Sequence, residues 1–317
     1  MGIAELLLIL GFLALGGLVF MIAYTYPIAK YVYTEQLVRT TPEKWGRTCS
    51  FPDDAEQVQM WNDGIAWMEQ NRSRITELQI ENDGLTLVGQ YFDFGAERCV
   101  IILPGRCESL IYSYYFAPPY EKAGFNVLVI DTRCHGKSEG KYNTIGVKES
   151  EDVLAWAKLA HEELGNREIY FHGICIGTSS GLFALSSRNC PDYLRGLVTE
   201  GCYVSFPETF KRHMMALKRP IFPVLQLVML LIYRCTGTNV YRHKPITAIR
   251  HIRPDCRVLF LYGEKDIFSI PEKSRKLFAA CASRDKKLVW FDRGGHSHLR
   301  INNTEAYDRA IIDFFGS

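Results

Sequence analysis

Residues 170–180 are the stretch of this 317-residue chain that most restricts its fold. The stretch reads Tyr-Phe-His-Gly-Ile-Cys-Ile-Gly-Thr-Ser-Ser. It predicts a buried strand, a sharp turn and a helix of small residues, with Cys175 at the apex of the turn. Gly173 and Gly177 leave room for the strained apex and for close packing of the helix. The alternative is a plain strand–turn–helix unit without chemistry, so the context of the motif has to decide.

Short apolar runs alternate with helical patterns along most of the chain. Residues 74–80 and 85–92 alternate across an Asn-Asp-Gly turn, which predicts a β-hairpin. Further strands are predicted at 99–103, 125–130, 168–172, 197–200, 258–262 and 287–291. Helices are predicted at 58–68, 114–123, 144–164 and 304–315. This alternation indicates an α/β fold with a mainly parallel sheet that carries helices on both faces.

The amino-terminal segment has the composition of a membrane span. Residues 3–24 are apolar apart from Glu5, and about 20 such residues cross a hydrocarbon core of about 30 Å. The segment lacks a basic start and an Ala-x-Ala-like cleavage site, which favours a retained anchor over a signal peptide. We therefore predict a transmembrane anchor at 1–26, a juxtamembrane helical segment at 27–73 and the main domain at 74–317.

Charge and cysteine distribution predict where the main domain lies. No Lys or Arg precedes the span, whereas four follow it closely: Lys30, Arg39, Lys44 and Arg47. The positive-inside rule therefore predicts a single-pass protein with its large domain on the cytoplasmic face. The ten cysteines show no disulfide framework, as expected for a reducing compartment. A net charge of +2 argues against a dedicated nucleic-acid-binding protein.

Residues 203–247 interrupt the alternation of strands and helices. They contain three prolines before residue 224 and an apolar run at 224–233, and they predict two or three helices inserted as a cap. The run of ten residues is too short to span a bilayer. It is either a buried cap helix or an apolar lid that contacts lipid or an acyl chain.

Two polar residues that follow later strands would complete a catalytic site with Cys175. Asp266 follows the strand that ends at 262, and His296 follows the strand that ends at 291. A thiol at such a turn needs a base and a carboxylate that orients the base, in the chain order nucleophile, acid, base. His298 is the rival base, but the glycine pair at 294–295 favours His296. Each residue also has a structural alternative as a buried thiol, a turn residue or a solvated loop residue.

An oxyanion hole requires two backbone N–H groups that point at the developing negative charge. The first predicted donor is Ile176, directly after the nucleophile. The second should come from the turn after the strand 99–103, where Arg106 is preferred and Cys107 is the alternative. An ordinary Pro-Gly turn that only ends the strand is the competing interpretation.

Five motifs together resemble the α/β-hydrolase fold superfamily over residues 74–315. They lie at 103–106, 131–140, 173–177, 262–266 and 294–297. The resemblance implies an eight-stranded-type sheet flanked by helices, with the loop 131–140 shaping the site and Cys134 replacing its first glycine. The anchor followed by this domain is similar to membrane-tethered, serine-aminopeptidase-like hydrolases, whose members act on esters, thioesters, amides or lipids. Most relatives carry serine where this chain has Cys175, whereas dienelactone hydrolases share the cysteine.

The leading hypothesis is therefore a membrane-anchored hydrolase of carboxylic esters or thioesters with the triad Cys175, His296 and Asp266. A thiolate attacks such substrates readily, and a neighbouring histidine and a helix amino terminus lower the pKa of a thiol. The expected partners are a small-molecule or lipid acyl substrate and the membrane, and the chemistry requires neither metal nor organic cofactor. The alternative is a degenerate hydrolase that binds a lipid or a partner protein at the membrane. A redox or metal role for Cys175 lacks the ligand spacing of known sites.

Overall fold

The fold is built on one twisted sheet, seen in a computed structural model that describes residues 2–316. Within those residues the sheet has eight strands. Their bounds are β1 Ile75–Asn82, β2 Leu85–Phe92, β3 Arg98–Leu103, β4 Phe125–Ile130, β5 Glu168–Ile174, β6 Leu194–Glu200, β7 Arg257–Gly263 and β8 Asp285–Phe291.

Helices cover both faces of the sheet and form the amino-terminal segment. Their bounds are α1 Ile3–Leu37, α2 Ala55–Gln70, α3 Leu110–Ser113, α4 Pro118–Lys122, α5 Val147–Glu162, α6 Ile176–Leu185, α7 Phe206–Ala216, α8 Val224–Thr236, α9 Pro245–Ala248, α10 Pro271–Ala280, α11 Leu299–Asn302 and α12 Thr304–Gly316. Three short 3₁₀ helices lie at 72–74, 114–116 and 249–251.

The strand order across the sheet is β1-β2-β4-β3-β5-β6-β7-β8. The hairpin β1–β2 and the pair β2–β4 are antiparallel, and all the pairs from β4 to β8 are parallel. Parallel neighbours require crossover connections, which the intervening helices supply. The predicted α/β fold with a mainly parallel eight-stranded sheet is thus confirmed. The carboxyl ends of the parallel strands share one edge, and the loops that follow them can meet there.

Alternate residues of the central strands build the two halves of the core. In β3, Val100 and Ile102 face one cluster, whereas Ile101 and Leu103 face the other. All four side chains are fully buried, because successive residues of a strand point to opposite faces and helices cover both. This explains why the strand reads as a continuous apolar run instead of an alternating one.

The prediction of a single helix at 114–123 was wrong. The chain there forms a 3₁₀ turn at 114–116 and then the short helix α4. Pro118 and Pro119 are the cause, because a proline cannot donate the backbone hydrogen bond that would join the two pieces. Prolines are tolerated in a first helical turn, so the chain starts a new helix at Pro118.

The amino-terminal helix and the cap pack against each other. By length and composition, α1 is the one helix within residues 2–316 that could cross a membrane. It continues past the predicted boundary at 26 as a single helix to Leu37, and its last turns are buried at Ala29, Val32 and Tyr33. These residues share a cluster with the buried face of α8 in the inserted segment 203–247. The apolar run at 224–233 is therefore a cap helix with one face covered by α1.

Candidate active site

Cys175 occupies the sharp turn between β5 and α6. Its φ and ψ are 52° and −115°, a conformation that residues other than glycine rarely adopt. The backbone holds it there, since the N–H of Cys175 donates to the carbonyl of Glu200 at 2.9 Å. A Cβ on Gly173 would come within 2.4 Å of the Thr178 Cα, and one on Gly177 within 2.1 Å of the Leu103 carbonyl oxygen. The two predicted glycines thus allow α6 to pack directly on the strand ends.

His296 and Asp266 lie together at the same edge of the sheet. The Asp266 Oδ2 atom accepts a hydrogen bond from His296 Nδ1 at 2.8 Å, and Asp266 is buried. Its other oxygen accepts the N–H groups of Phe268 and Ser269, both at 2.8 Å. These bonds fix the carboxylate, and it in turn orients the imidazole so that Nε2 is the nitrogen that remains for a reacting group.

His298 has a different position from the one that the rival prediction requires. Its Nδ1 atom hydrogen-bonds the His296 carbonyl at 2.9 Å, and its Nε2 atom lies 3.6 Å from a carboxylate oxygen of Asp54. It therefore has no contact with Asp266 that could orient it as a base. The structure places His296, not His298, beside the carboxylate.

The backbone of Gly201 packs against the imidazole of His296, a contact that the sequence analysis did not predict. This glycine directly follows β6 and has φ of +67°. A Cβ built on it would lie 2.8 Å from His296 Cε1 and 3.1 Å from His296 Nδ1. The ring therefore packs directly against the backbone at this point, and only glycine leaves it the necessary space.

The charges of the three residues favour a thiolate–imidazolium pair. Burial alone would raise the pKa of the Cys175 thiol, but the charge of His296, the Arg106 guanidinium and the Ile176 N–H outweigh it, so this pKa is lowered. Burial would likewise lower the pKa of His296, but the charges of Asp266 and Cys175 raise it well above its ordinary value. The pKa of Asp266 is lowered, because His296 and two backbone N–H groups overcome the effect of burial. Charge and a side-chain hydrogen bond both link His296 to the Cys175 thiol, although the geometry at His296 Nε2 falls outside strict hydrogen-bond limits.

The two predicted oxyanion donors belong to the turns that follow β5 and β3. Ile176 is the first residue of α6, where the N–H has no acceptor within the helix, and this N–H contacts the Cys175 sulfur. Arg106 belongs to the turn after β3, and its guanidinium donates to the Gln36 carbonyl at 3.3 Å. The backbone N–H of the alternative donor, Cys107, donates to His135 Nε2 at 3.3 Å. That N–H is thus engaged in the fold, which favours Arg106 as the second donor.

A small cavity of about 170 Å³ opens over the thiol. It is lined by Phe51, Gln57, Gly105, Arg106, Glu108, Tyr112, Ile174, Cys175, His213, Phe268, His296, Ser297 and His298. Sites for drug-sized ligands usually enclose about 300–1,000 Å³. The enclosed part of this site is therefore smaller than an ordinary site for a drug-sized ligand.

Two lining residues were missed by the sequence analysis. Glu108 is buried, and desolvation raises the pKa of its carboxyl to about 7 although Ser50 and Gln57 hydrogen-bond to it. His213 of α7 stacks on Phe268 with ring centroids 3.7 Å apart, and burial lowers its pKa to about 3. Glu108 follows the predicted Pro-Gly turn closely enough to have been suspected. His213 had no local signal, because only the folding of the cap brings it over the site.

The described part of the chain offers no evident metal centre. Among residues 2–316, no three His, Cys, Asp or Glu side chains converge as ligands of a metal ion would. The arrangement of Cys175, His296 and Asp266 is suited to nucleophilic chemistry on an acyl carbon.

Comparison with known sequences agrees with the fold. The family model for the alpha/beta hydrolase fold matches residues 98–218. The chain is 24% identical to YqkD of Bacillus subtilis over 217 residues, which are 68% of this chain and 70% of that protein. It is 25% identical to the uncharacterized membrane protein YNL320W of Saccharomyces cerevisiae over 195 residues, which are 62% of each chain. It thus spans only about three fifths to seven tenths of these relatives.

Solved structures share the same architecture. An esterase of Pyrococcus furiosus, Pf2001, superposes with a TM-score of 0.65 at 22% identity, covering 78% of this chain and 93% of the esterase. A hydrolase of Pseudomonas aeruginosa superposes with a TM-score of 0.57 at 19% identity, covering 78% of this chain and 100% of the other. At such identities the likeness establishes the fold alone. The chain therefore has the α/β-hydrolase fold, and its residues 98–218 match the family model for that fold.

Proposed function

We propose that this protein is a membrane-associated hydrolase of carboxylic esters or thioesters that acts through Cys175, His296 and Asp266. The observation that carries the proposal is the Asp266–His296 hydrogen bond of 2.8 Å beside a thiol whose pKa is lowered. A structural cysteine in an apolar core would have its pKa raised instead, as burial does for Cys99 and Cys202.

In the acylation step, the Cys175 thiolate attacks the carbonyl carbon of the substrate. The carbonyl oxygen becomes an oxyanion, which accepts hydrogen bonds from the backbone N–H groups of Ile176 and Arg106; removing one such donor typically costs about 3 kcal/mol. The imidazolium of His296 then gives its Nε2 proton to the leaving alcohol or thiol. The carbon–leaving-group bond breaks, and a thioester to Cys175 remains.

In the deacylation step, neutral His296 takes a proton from water at Nε2 while the water oxygen attacks the thioester carbon. The second tetrahedral intermediate expels the Cys175 thiolate and releases the carboxylic acid, which restores the thiolate–imidazolium pair. Asp266 keeps Nδ1 protonated and the ring oriented throughout. Esters and thioesters are favoured over amides, because a thiolate leaves the tetrahedral intermediate more easily than an unprotonated amine.

Membrane association is supported by the amino-terminal helix. The most apolar 18-residue stretch of α1 has a mean hydropathy of 2.8, and none of it is buried within the protein. An exposed apolar surface of this size needs a partner in water, and a bilayer is the one that a helix of this length and composition fits. One yeast relative is named a membrane protein, and the flanking charges favour a cytoplasmic domain.

The test is the rate at which an alkylating reagent modifies Cys175, followed by mass spectrometry as a function of pH. In the intact protein we expect rapid modification with an apparent pKa below the ordinary thiol value of 9.0. His296→Ala should slow this modification and raise the apparent pKa. His298→Ala is the matched control, because it removes a histidine from the same loop that does not contact Asp266, and it should leave the profile nearly unchanged.

Hydrolysis of short acyl esters and thioesters then tests the chemistry itself. Cys175→Ala should abolish turnover, and a thioester-linked acyl group should be detectable on Cys175 when deacylation is slow. Hydrolysis that persists in Cys175→Ala would refute the assignment of the nucleophile. A thiol as unreactive as the protein's buried cysteines, together with no turnover of any acyl substrate, would instead favour a catalytically degenerate protein that binds a lipid or a partner.

A further inference from the structure

Three large apolar side chains are exposed where α7 ends and the chain turns toward α8. Met215, Leu217 and Phe222 are 59%, 53% and 65% exposed, respectively. Isolated apolar residues are common on protein surfaces, but three large ones exposed within eight positions of the chain are a concentration that suggests a partner. We call residues 215–222 the cap loop.

The cap loop lies close to the point where α1 would leave a bilayer. The Arg219 guanidinium sits over the ring of Tyr31 at 5.3 Å from its centroid. Tyr31 is seven residues beyond Tyr24, the last residue of the predicted span, which is about 10 Å along a helix axis. The headgroup region is about 5–7 Å thick on each side of the hydrocarbon core. The cap loop is therefore held at about the depth where headgroups meet water.

Packing fixes this position, because α8 follows the cap loop directly and is buried against α1. Val228 and Ile232 of α8 are fully buried in the cluster that contains Val32 and Leu37 of α1. The cap loop thus cannot move far from the membrane unless this interface opens.

Charge distinguishes a bilayer from a second copy of this chain as the occupant. Residues 206–236 contain five cationic side chains, namely Lys211, Arg212, Lys218, Arg219 and Arg234. They contain one acidic residue, Glu208, whose carboxylate is paired with Lys273 at 3.0 Å. Two copies meeting through this surface would bring like charges together, whereas an anionic leaflet attracts basic residues that lie near its surface.

We infer that the cap loop is a membrane-docking element, in which Met215, Leu217 and Phe222 extend from the water side into the headgroup layer and toward the acyl chains. This inference rests on the proposed membrane anchoring by α1. It has a consequence for the substrate, because His213 of α7 lines the catalytic cavity only two residues before Met215. The cavity therefore lies directly behind the docked surface, and the natural substrate class is an acyl amphiphile that resides in the bilayer.

The test uses the full chain reconstituted in phosphatidylcholine–phosphatidylserine vesicles. All five native tryptophans lie outside α1 and the cap, so the variant Phe222→Trp adds a local reporter. Lipids brominated near the headgroup end of the acyl chains should quench roughly half of the added emission. The matched control is Arg284→Trp, an exposed position before β8 at the opposite edge of the sheet, whose added emission should be unaffected.

Equal bromine quenching at the two positions, in protein that floats with the vesicles, would overturn the inference. A second result would also overturn the inference: the Phe222→Trp emission is shielded from water but is not quenched by bromine, and the shielding disappears when the protein is diluted with more lipid. That result would indicate that a second copy of the chain covers the cap loop.

Hydrolytic activity provides a second measurement, which tests the docking role independently of the quenching result. In the double variant Leu217→Ser/Phe222→Ser, hydrolysis of a long-chain ester in vesicles should fall about tenfold, while hydrolysis of a soluble short-chain ester stays unchanged. Neither residue lines the catalytic cavity. Equal loss on both esters would contradict the docking role. If the unmodified protein hydrolyses neither ester, the proposed function fails, and the quenching result still decides whether the cap loop docks.

Discussion

The substitution Gly201→Ala tests how precisely the imidazole of His296 must be held. The added Cβ would lie 2.8 Å from His296 Cε1, whereas ordinary contacts begin at about 3.4 Å, so the ring must move by about 0.6 Å. It cannot move without disturbing its 2.8 Å hydrogen bond to Asp266. Because a displacement of about 1 Å can cost about 100-fold in rate, we expect kcat/KM on a short ester to fall roughly 10- to 100-fold. The apparent pKa of Cys175 alkylation should rise in parallel, since the imidazolium no longer faces the thiol.

The stability effect of the same substitution should be modest. Gly201 has φ of +67°, and an L-residue in the left-handed region costs about 1–2 kcal/mol. This corresponds to a fall in Tm of roughly 2–5 °C, which leaves the protein folded at assay temperature. The catalytic loss would then be a local effect that circular dichroism and thermal unfolding separate from misfolding.

Gly237→Ala is the matched control. Gly237 ends α8 with φ of +73°, but a Cβ there would meet nothing within 4 Å. It should show the same small fall in Tm with full activity. If Gly201→Ala retains the kcat/KM of Gly237→Ala, the close packing of His296 on the backbone is not needed for turnover, and the reasoning from its position is refuted.

Three further outcomes follow from the geometry of the site. The pH profile of kcat/KM should be bell-shaped, falling in acid as the Cys175 thiolate is protonated and in alkali as His296 loses its proton, because the first pKa is lowered and the second raised. Asp266→Asn should lower kcat by about 10²–10⁴-fold and move the alkaline limb to lower pH, since the carboxylate is what raises the pKa of His296; an unshifted limb would contradict this. Gly177→Ala should destabilise the fold by about 3 kcal/mol or more in urea unfolding, because its Cβ would lie 2.1 Å from the Leu103 carbonyl oxygen, and a normal Tm would show that α6 can move away.

The strands and their order in the chain could be predicted because buried parallel strands appear in the sequence as continuous apolar runs. The segment 99–103 differs by one residue from the observed β3, and 258–262 by one residue at each end from β7. The prediction from the apolar pattern was wrong at 114–123, because Pro118 and Pro119 prevent one continuous helix there. Local chemistry outweighs an apolar pattern when a backbone donor is missing.

Within the site, residues attached to strand ends could be predicted, whereas residues brought in by the cap could not. Asp266 and His296 each follow a strand closely, and parallel strands bring their carboxyl ends to one edge. His213 lies in the inserted helix α7, which packs against α8, and α8 packs in turn against α1; no local pattern encodes these contacts. Gly201 was hidden for another reason, because its role depends on a histidine 95 positions later in the chain.

The backbone conformation of Cys175 helps to distinguish an active hydrolase from a binding protein that only keeps the hydrolase fold. A non-glycine residue at φ 52° and ψ −115° stores about 1–3 kcal/mol of strain unless its surroundings compensate. Here the surroundings do so through the Glu200 carbonyl and two glycines that tolerate no Cβ, Gly173 and Gly177. Binding of a lipid or a partner protein does not require a strained turn at Cys175. It requires neither a thiol held at the carboxyl ends of the strands nor an imidazole packed against the backbone of Gly201. The strained turn holds the sulfur at the carboxyl ends of the strands, beside His296, as the proposed reaction requires, and this physical argument favours the hydrolase over the binding protein.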